Sequence, residues 1–305
     1  MKKIVIEHFL IILLFYAPSA KSETEQIFQK QRVLIGTPIK QKPAILKEFL
    51  TSLEELDHNT HDAHYMFIDD NDNAESSQIL LEFAQRNSPN CIVIRNSTEQ
   101  QHEQYICNET THYWRESIIW KVAAFKDFIL EYGLTCNYDY VFLVDSDIVL
   151  YPQTIDQLIL DNKDVISEIF WTSWIPESHK QPQVWMSDVY TQYEVKSNEQ
   201  LSDDEKNKRY WDFIQIMATP GVYEIGGLGA CTLISKAALI KGVNFKKIKN
   251  LTFWGEDRHF CIRAGALGIP MFVDTHYPAY HIYRETYLEG VATFKENCKK
   301  GIYQI

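Results

Sequence analysis

Two aspartates, Asp145 and Asp147, stand two residues apart where an apolar run ends, in the stretch VFLVDSDIVLYP at 141–152. Residues i and i+2 of an extended chain project to the same side, so the two carboxylates can converge on one point. Like charges held that close repel unless a proton or a cation joins them. Hard divalent cations such as Mg²⁺ and Mn²⁺ take oxygen ligands, usually a few carboxylates together with substrate phosphates. The pair therefore points to a metal–diphosphate site. Aspartates after a strand also serve as ordinary turn formers. The buried-looking strand ahead of them favours the site, because ligands of open α/β sheets bind at the carboxyl ends of strands.

Alternating elements surround this pair. Residues 32–38 predict a buried strand ending in a turn, and Pro43 opens a helix with Ile45, Leu46, Phe49, Leu50, Leu53 and Leu56 on one stripe. Residues 65–68 and 91–94 predict further strands, the first closing in Asp69 and Asp70. Residues 113–132 predict a long helix with Gly133 as its C-cap. After the DSD strand comes a polar, charged segment at 194–209, which reads as a solvated helix or loop. A glycine cluster follows, Gly226-Gly227-Leu228-Gly229, inside an apolar strand pattern. Glycines there suggest close approach of the backbone to a ligand or another strand. They lack the spacing of a dinucleotide fingerprint. The stretch FWGEDRHF at 253–260 opens a helix with Glu256 and Asp257, residues also favoured at a helix N-terminus by its dipole. Residues 271–274 predict a last strand, with His281 shortly after. Strands alternating with amphipathic helices imply an α/β fold with a mixed, mostly parallel sheet flanked by helices.

The chain has 305 residues, enough for one large domain or two small ones, and a formal net charge of −11. That balance argues against a protein that grips nucleic acid, which needs a basic face. It leaves room for one bound nucleotide. Residues 1–22 read as a signal peptide or a short N-terminal anchor: Lys2 and Lys3 precede an apolar run and small residues near 17–20. The expected location is therefore outside the cytosol or in a secretory lumen, with membrane contact only through that segment if it is uncleaved. None of the six cysteines forms a C-x-x-C pair, so thiolate zinc is not expected.

In their order, these segments resemble the GT-A fold of nucleotide-sugar glycosyltransferases. FWGEDRHFCIRAGALG resembles the Gly-Glu-Asp helix of family-two transferases and animal galactosyltransferases, and with VFLVDSDIVLYP it is also similar to the Anp1-like mannosyltransferase group. The resemblance places a single transferase domain over 32–298, with a nucleotide-binding half at 32–150 and an acceptor and catalytic half at 151–298. It implies a Mn²⁺ or Mg²⁺ ion ligated directly by Asp147, with Asp145 binding it through water or holding the ribose, and His281 as a third ligand. It implies Asp257 as the base that deprotonates an acceptor hydroxyl in an inverting reaction, with Glu256 as the neighbour that could serve instead. Thr37 and Pro38, with Asp69 or Asp70, would contact the base and ribose of a UDP- or GDP-sugar. Arg115 and Lys121 would reach the donor, and Gly227 and Trp254 would lie against its sugar. The acceptor would be a carbohydrate, lipid or protein hydroxyl. Two other functions compete. A nucleotidyltransferase needs a glycine-rich basic loop after the first strand, which IGTPIKQKP matches poorly. A non-catalytic carbohydrate-binding protein on the same scaffold would be expected to lack the metal or base carboxylates.

Overall fold

The computed structural model describes residues 30–96, 106–107, 112–113, 115–252 and 255–303. The N-terminal segment 1–22 and Trp254 lie outside the described residues. Strand β1 (Gln31–Ile39), helix α1 (Pro43–Glu54), strand β2 (His61–Asp69), helix α2 (Ala74–Arg86) and strand β3 (Cys91–Arg95) form two parallel β-α-β units. A short pair, β4 (Ile106–Cys107) and β5 (His112–Tyr113), precedes the long helix α3 (Glu116–Thr135) and strand β6 (Tyr140–Leu143), which returns parallel to β1. The second half holds β7 (Ile148–Val149), α4 (Thr154–Leu160), β8 (Val165–Thr172), β9 (Gln181–Pro182), α5 (Asp203–Met217), β10 (Val222–Ile225), β11 (Thr232–Ser235), α6 (Lys236–Lys241), α7 (Glu256–Ala266), β12 (Met271–His281) and α8 (Leu288–Lys300).

The main path of the sheet runs β10-β12-β8-β11-β6-β1-β2-β3. Strand β11 lies antiparallel between β6 and β8, whereas β8 and β12 pair in parallel. The alternation along β1 sorts its side chains to two cores. Val33 and Ile35 pack with α1, α2 and α4, and Leu34 packs on the other face with α3, α6 and α7.

The structure corrects three sequence expectations and bears out a fourth. Strand β1 continues through Pro38 to Ile39 instead of turning at Pro38. Its pairing with β6 stops at Gly36, so the proline lies where only β2 flanks it and its missing N–H is tolerated. Gly133 lies inside α3 and does not cap it. A Cβ at Gly133 would overlap Val141 Cγ2, and one at Gly36 would overlap Ile129 Cγ2. These glycines are needed because helix and sheet press together there. The polar segment 194–209 is the solvated loop and helix expected of it, running into α5 through a Ser202–Glu205 capping box. The last strand is eleven residues long rather than four, and its register against β8 shifts between Asp274 and Ala279.

Candidate active site

A cavity of about 960 Å³ opens where β1 and β6 end. One part of its lining comes from the first half of the chain. Pro38 lies at the end of β1, and Asp70 just past β2. Asp70 accepts from Lys121 Nζ at 2.5 Å and from Asn96 Nδ2 at 2.7 Å, so the α3 cation and the β2 carboxylate form a pair at the cavity wall. Asp69 is not there. Its carboxylate is turned inward, accepting from the Asn71 amide (2.7 Å), the Asn71 backbone (3.1 Å), Ser77 (3.2 Å) and Arg95 (2.5 Å). Burial alone would raise this carboxyl, but those donors outweigh it and hold it below its ordinary value. Asp69 therefore secures the loop that presents Asp70. Thr37 is buried, its hydroxyl donating to the Pro38 carbonyl at 3.1 Å, and does not line the cavity. Arg115 is exposed at the N-cap of α3 and is likewise absent from the lining.

The second part is built on β6, β7 and β12. The end of β12 pairs with β7, His281 opposite Ile148, and the Ile282 N–H donates to the Asp147 carbonyl at 2.8 Å. That ladder brings together residues 134 positions apart in the chain: His281 Nε2 lies 3.5 Å from Asp147 Oδ2. His281 Nδ1 is engaged with Thr172 Oγ1 at 2.8 Å, which fixes the ring with Nε2 toward Asp147. Asp147 Oδ1 is buried with no hydrogen-bond partner. An orphaned carboxylate oxygen beside an oriented imidazole suits a cation. Among the described residues, however, no group of three or more His, Cys, Asp or Glu forms a protein cage for a metal. The expected three-ligand position of Asp145, Asp147 and His281 is thus not closed by protein alone. Asp145 lies on the cavity floor within electrostatic reach of Lys126, Asp147, Glu256 and His281, shared between two clusters. Its enclosure raises the carboxyl; Lys126 opposes this and Asp147 adds to it.

The third part is the start of α7. Glu256 and Asp257 are both held by one buried cation, Lys126 of α3, with Nζ 2.8 Å from Glu256 Oε1 and 3.3 Å from Asp257 Oδ1. Lys126 is 5% exposed. Burial pushes the Asp257 carboxyl up to about 7, Lys126 pulling it down while Glu256 and Asp145 add to the rise. A carboxylate poised near neutrality at a cavity wall is suited to take a proton.

Sequence reading missed Lys126. The buried positions of α3 include Ile119, Ala123, Lys126, Leu130 and Gly133, spaced by four, three, four and three residues. A lysine in register with an apolar stripe was the available signal. Gly227 also departs from expectation. It does not line the cavity; a Cβ there would overlap the Trp185 indole, and the two backbones exchange hydrogen bonds at 3.0 Å. Its glycine is required by Trp185, which does line the cavity. Gly229, by contrast, borders the cavity with room for a methyl group.

Residues 30–176, which include the DSD motif and the first half of the sheet, match the model of the glycosyltransferase family 25, N-terminal domain. The chain carries a glycosyltransferase domain. This transferase domain is 24% identical over 150 residues to a glycosyltransferase 25 family member of Drosophila melanogaster, a stretch covering 49% of this chain and 24% of the fly protein. The chain thus spans about a quarter of that relative's length. Among solved structures it is similar to S. aureus TarS 1–349, with a TM-score of 0.49 and 15% identity, covering 89% of this chain and 69% of that one. It is also similar to the mannosyltransferase PcManGT of Pyrobaculum calidifontis in complex with GDP-Man and Mn²⁺, with a TM-score of 0.47 and 10% identity, covering 81% and 58% of the two chains.

Proposed function

We propose that this domain transfers a sugar from a nucleotide-sugar donor to an acceptor hydroxyl with inversion, using a divalent cation. The observation that carries the reading is the convergence on one cavity of the Asp147–His281 pair and the Lys126-held Asp257, whose carboxyl sits near 7. Asp70 and Lys121 line the part of the cavity suited to the nucleoside, beyond Pro38. Asp147 and His281, with Asp145 beside them, would hold Mn²⁺ or Mg²⁺ and leave its other positions to the donor diphosphate. When bound, the cation offsets negative charge on the departing diphosphate. Asp257 accepts the proton of the acceptor hydroxyl as that oxygen attacks the anomeric carbon from the face opposite the leaving group. The proton then rests on Asp257, where the neighbouring Glu256 and Asp145 make it easy to keep and Lys126 makes it easy to return.

The same observation disfavours a non-catalytic carbohydrate-binding role. Mere binding requires neither a buried cation spanning two carboxylates nor a carboxyl tuned to neutrality. Export or anchoring through residues 1–22 accompanies this proposal, and N-terminal sequencing of the expressed protein tests it.

Asp147→Ala is expected to abolish metal-dependent donor turnover without unfolding the protein, because the ladder contact to Ile282 uses the backbone of Asp147 and survives the substitution. The check is a thermal-shift series of UDP- and GDP-sugars with and without Mn²⁺. A ligand that binds only the native state raises its apparent stability. The wild type should shift with one donor and metal together, and the variant should not. Full donor turnover by the variant would remove Asp147 from the metal site.

A further inference from the structure

Between β9 and α5 the chain makes a tight excursion that the transfer chemistry above does not use. Ser187 and Thr191 exchange backbone hydrogen bonds at 3.1 Å, closing a hairpin whose tip is Asp188-Val189-Tyr190. Val189 and Tyr190 both have positive φ, 57° and 58°. Hairpin tips of that shape are normally filled by Gly, Asn or Asp. A β-branched residue there is an outlier, and a bulky tyrosine held at positive φ directly after it adds to the strain. The tip must be held by something outside it.

The holding group is on α7. Arg258 follows Asp257, is 4% exposed, and grips Asp188 with two parallel bonds, Nε to Oδ1 at 2.6 Å and Nη2 to Oδ2 at 2.9 Å. Its remaining nitrogen donates to the Thr252 carbonyl at 2.9 Å. Bidentate guanidinium–carboxylate pairs fix direction as well as distance. The consequence is visible one residue beyond the strained valine. The Tyr190 ring stands edge-on to Trp185 with centroids 4.5 Å apart. Its hydroxyl lies over Gly255, so close that a Cβ at Gly255 would come within 2.7 Å of it. Gly255 immediately precedes Glu256 and Asp257. Val189 and Tyr190 both line the cavity, and Val189 is 44% exposed.

We propose that Asp188 and Arg258 form a latch that holds this strained hairpin shut and presses Tyr190 onto the start of α7, so that Asp188 is a positioning residue for Asp257. The hairpin thus meets α7 on both sides of the base, at Gly255 through Tyr190 and at Arg258 through Asp188, along the cavity wall that Asp257 also lines. Its catalytic consequence rests on the glycosyltransferase reading; its mechanical part does not.

The test pairs Asp188→Asn with Asp188→Asn/Val189→Asn. The first keeps the shape of residue 188 and removes its charge. The second also places at the tip a residue that adopts positive φ readily. Hydrogen exchange of the 185–193 segment and steady-state transfer kinetics are measured for both and for the wild type. The latch predicts faster exchange in this segment for Asp188→Asn. It also predicts a fall in kcat of about tenfold to a hundredfold with the donor KM unchanged, the scale expected when a reacting group is misplaced. The double variant should recover both properties. Unchanged exchange in Asp188→Asn overturns the latch. So does failure of Val189→Asn to restore protection, since the strain would then not be what the ion pair restrains. If the wild type turns over no nucleotide-sugar, the function proposed above fails, and the exchange measurements decide the latch by themselves.

Discussion

Asp257→Asn is expected to lower sugar transfer by about 10²–10⁴-fold, the usual contribution of a positioned general base, while donor binding stays unchanged. Asparagine keeps the shape and can still accept from Lys126 Nζ, which lies 3.3 Å from Asp257 Oδ1. It cannot take a proton from an attacking hydroxyl. Wild-type kcat should fall on the acid side of about pH 7, where Asp257 becomes protonated. The residual rate of the variant should lack that limb. The same shift has a stability consequence of definite sign. The folded-state value lies above the ordinary 3.8, so the native state binds the proton more tightly than the unfolded chain does. The stability due to this proton is fully present below about pH 4. It is lost as pH rises through about 7. Asp257→Asn should flatten that part of the stability profile. Retention of the donor's anomeric configuration in the product would end the base assignment, and a pH-independent wild-type kcat across the same range would do the same.

Lys126→Met is expected to be the most destabilising single change at the site. Removing one partner of a buried ionic group leaves uncompensated charge, which typically costs about 3–5 kcal/mol. Here one ammonium, 6% exposed at its side chain, serves both Glu256 at 13% and Asp257 at 29%. Without it the Asp257 carboxyl is driven further toward its protonated form and Glu256 loses its ion-pair partner, so the loss should be greatest at alkaline pH and smallest in acid. Urea unfolding at several pH values measures this. Lys126→Met/Glu256→Gln should regain much of the lost stability, because a neutral amide beside a methionine leaves only Asp257 to be accommodated. Additive losses in that pair would show that Lys126 and Glu256 do not interact across α3 and α7.

Much of this domain is written locally. The stripe Ile45, Leu46, Phe49, Leu50, Leu53 specifies α1 and its buried face, Pro43 starts it, and the structure shows both. The DSD pair falls at the end of a buried strand because the apolar run of β6 stops there. Glu256 and Asp257 open α7 as their position before an amphipathic helix requires. Glycines were harder to interpret. Spacing suggests a cap at Gly133 and a ligand contact at Gly227, yet each is dictated by a bulky neighbour, Val141 and Trp185 respectively, that sequence spacing does not place beside it. Spacing does not separate Asp69 from Asp70 either, because which carboxylate borders the cavity depends on Arg95 of β3 and Lys121 of α3.

The sequence by itself determined which residue types are available and on which kinds of element they sit: two aspartates after a strand, two carboxylates at a helix start, a histidine after the last strand. Local periodicity and capping act over a few residues and are legible for that reason. Only the tertiary structure decided which of them share a cavity. The β7–β12 pairing sets His281 beside Asp147, the packing of α3 against α7 places Lys126 between Glu256 and Asp257, and the grip of Arg258 on Asp188 brings Tyr190 to Gly255. The four pairs His281–Asp147, Lys126–Glu256, Lys126–Asp257 and Arg258–Asp188 each join residues 70 or more positions apart in sequence. Side-chain packing and strand register fix such contacts, and neither leaves a periodic trace in the chain.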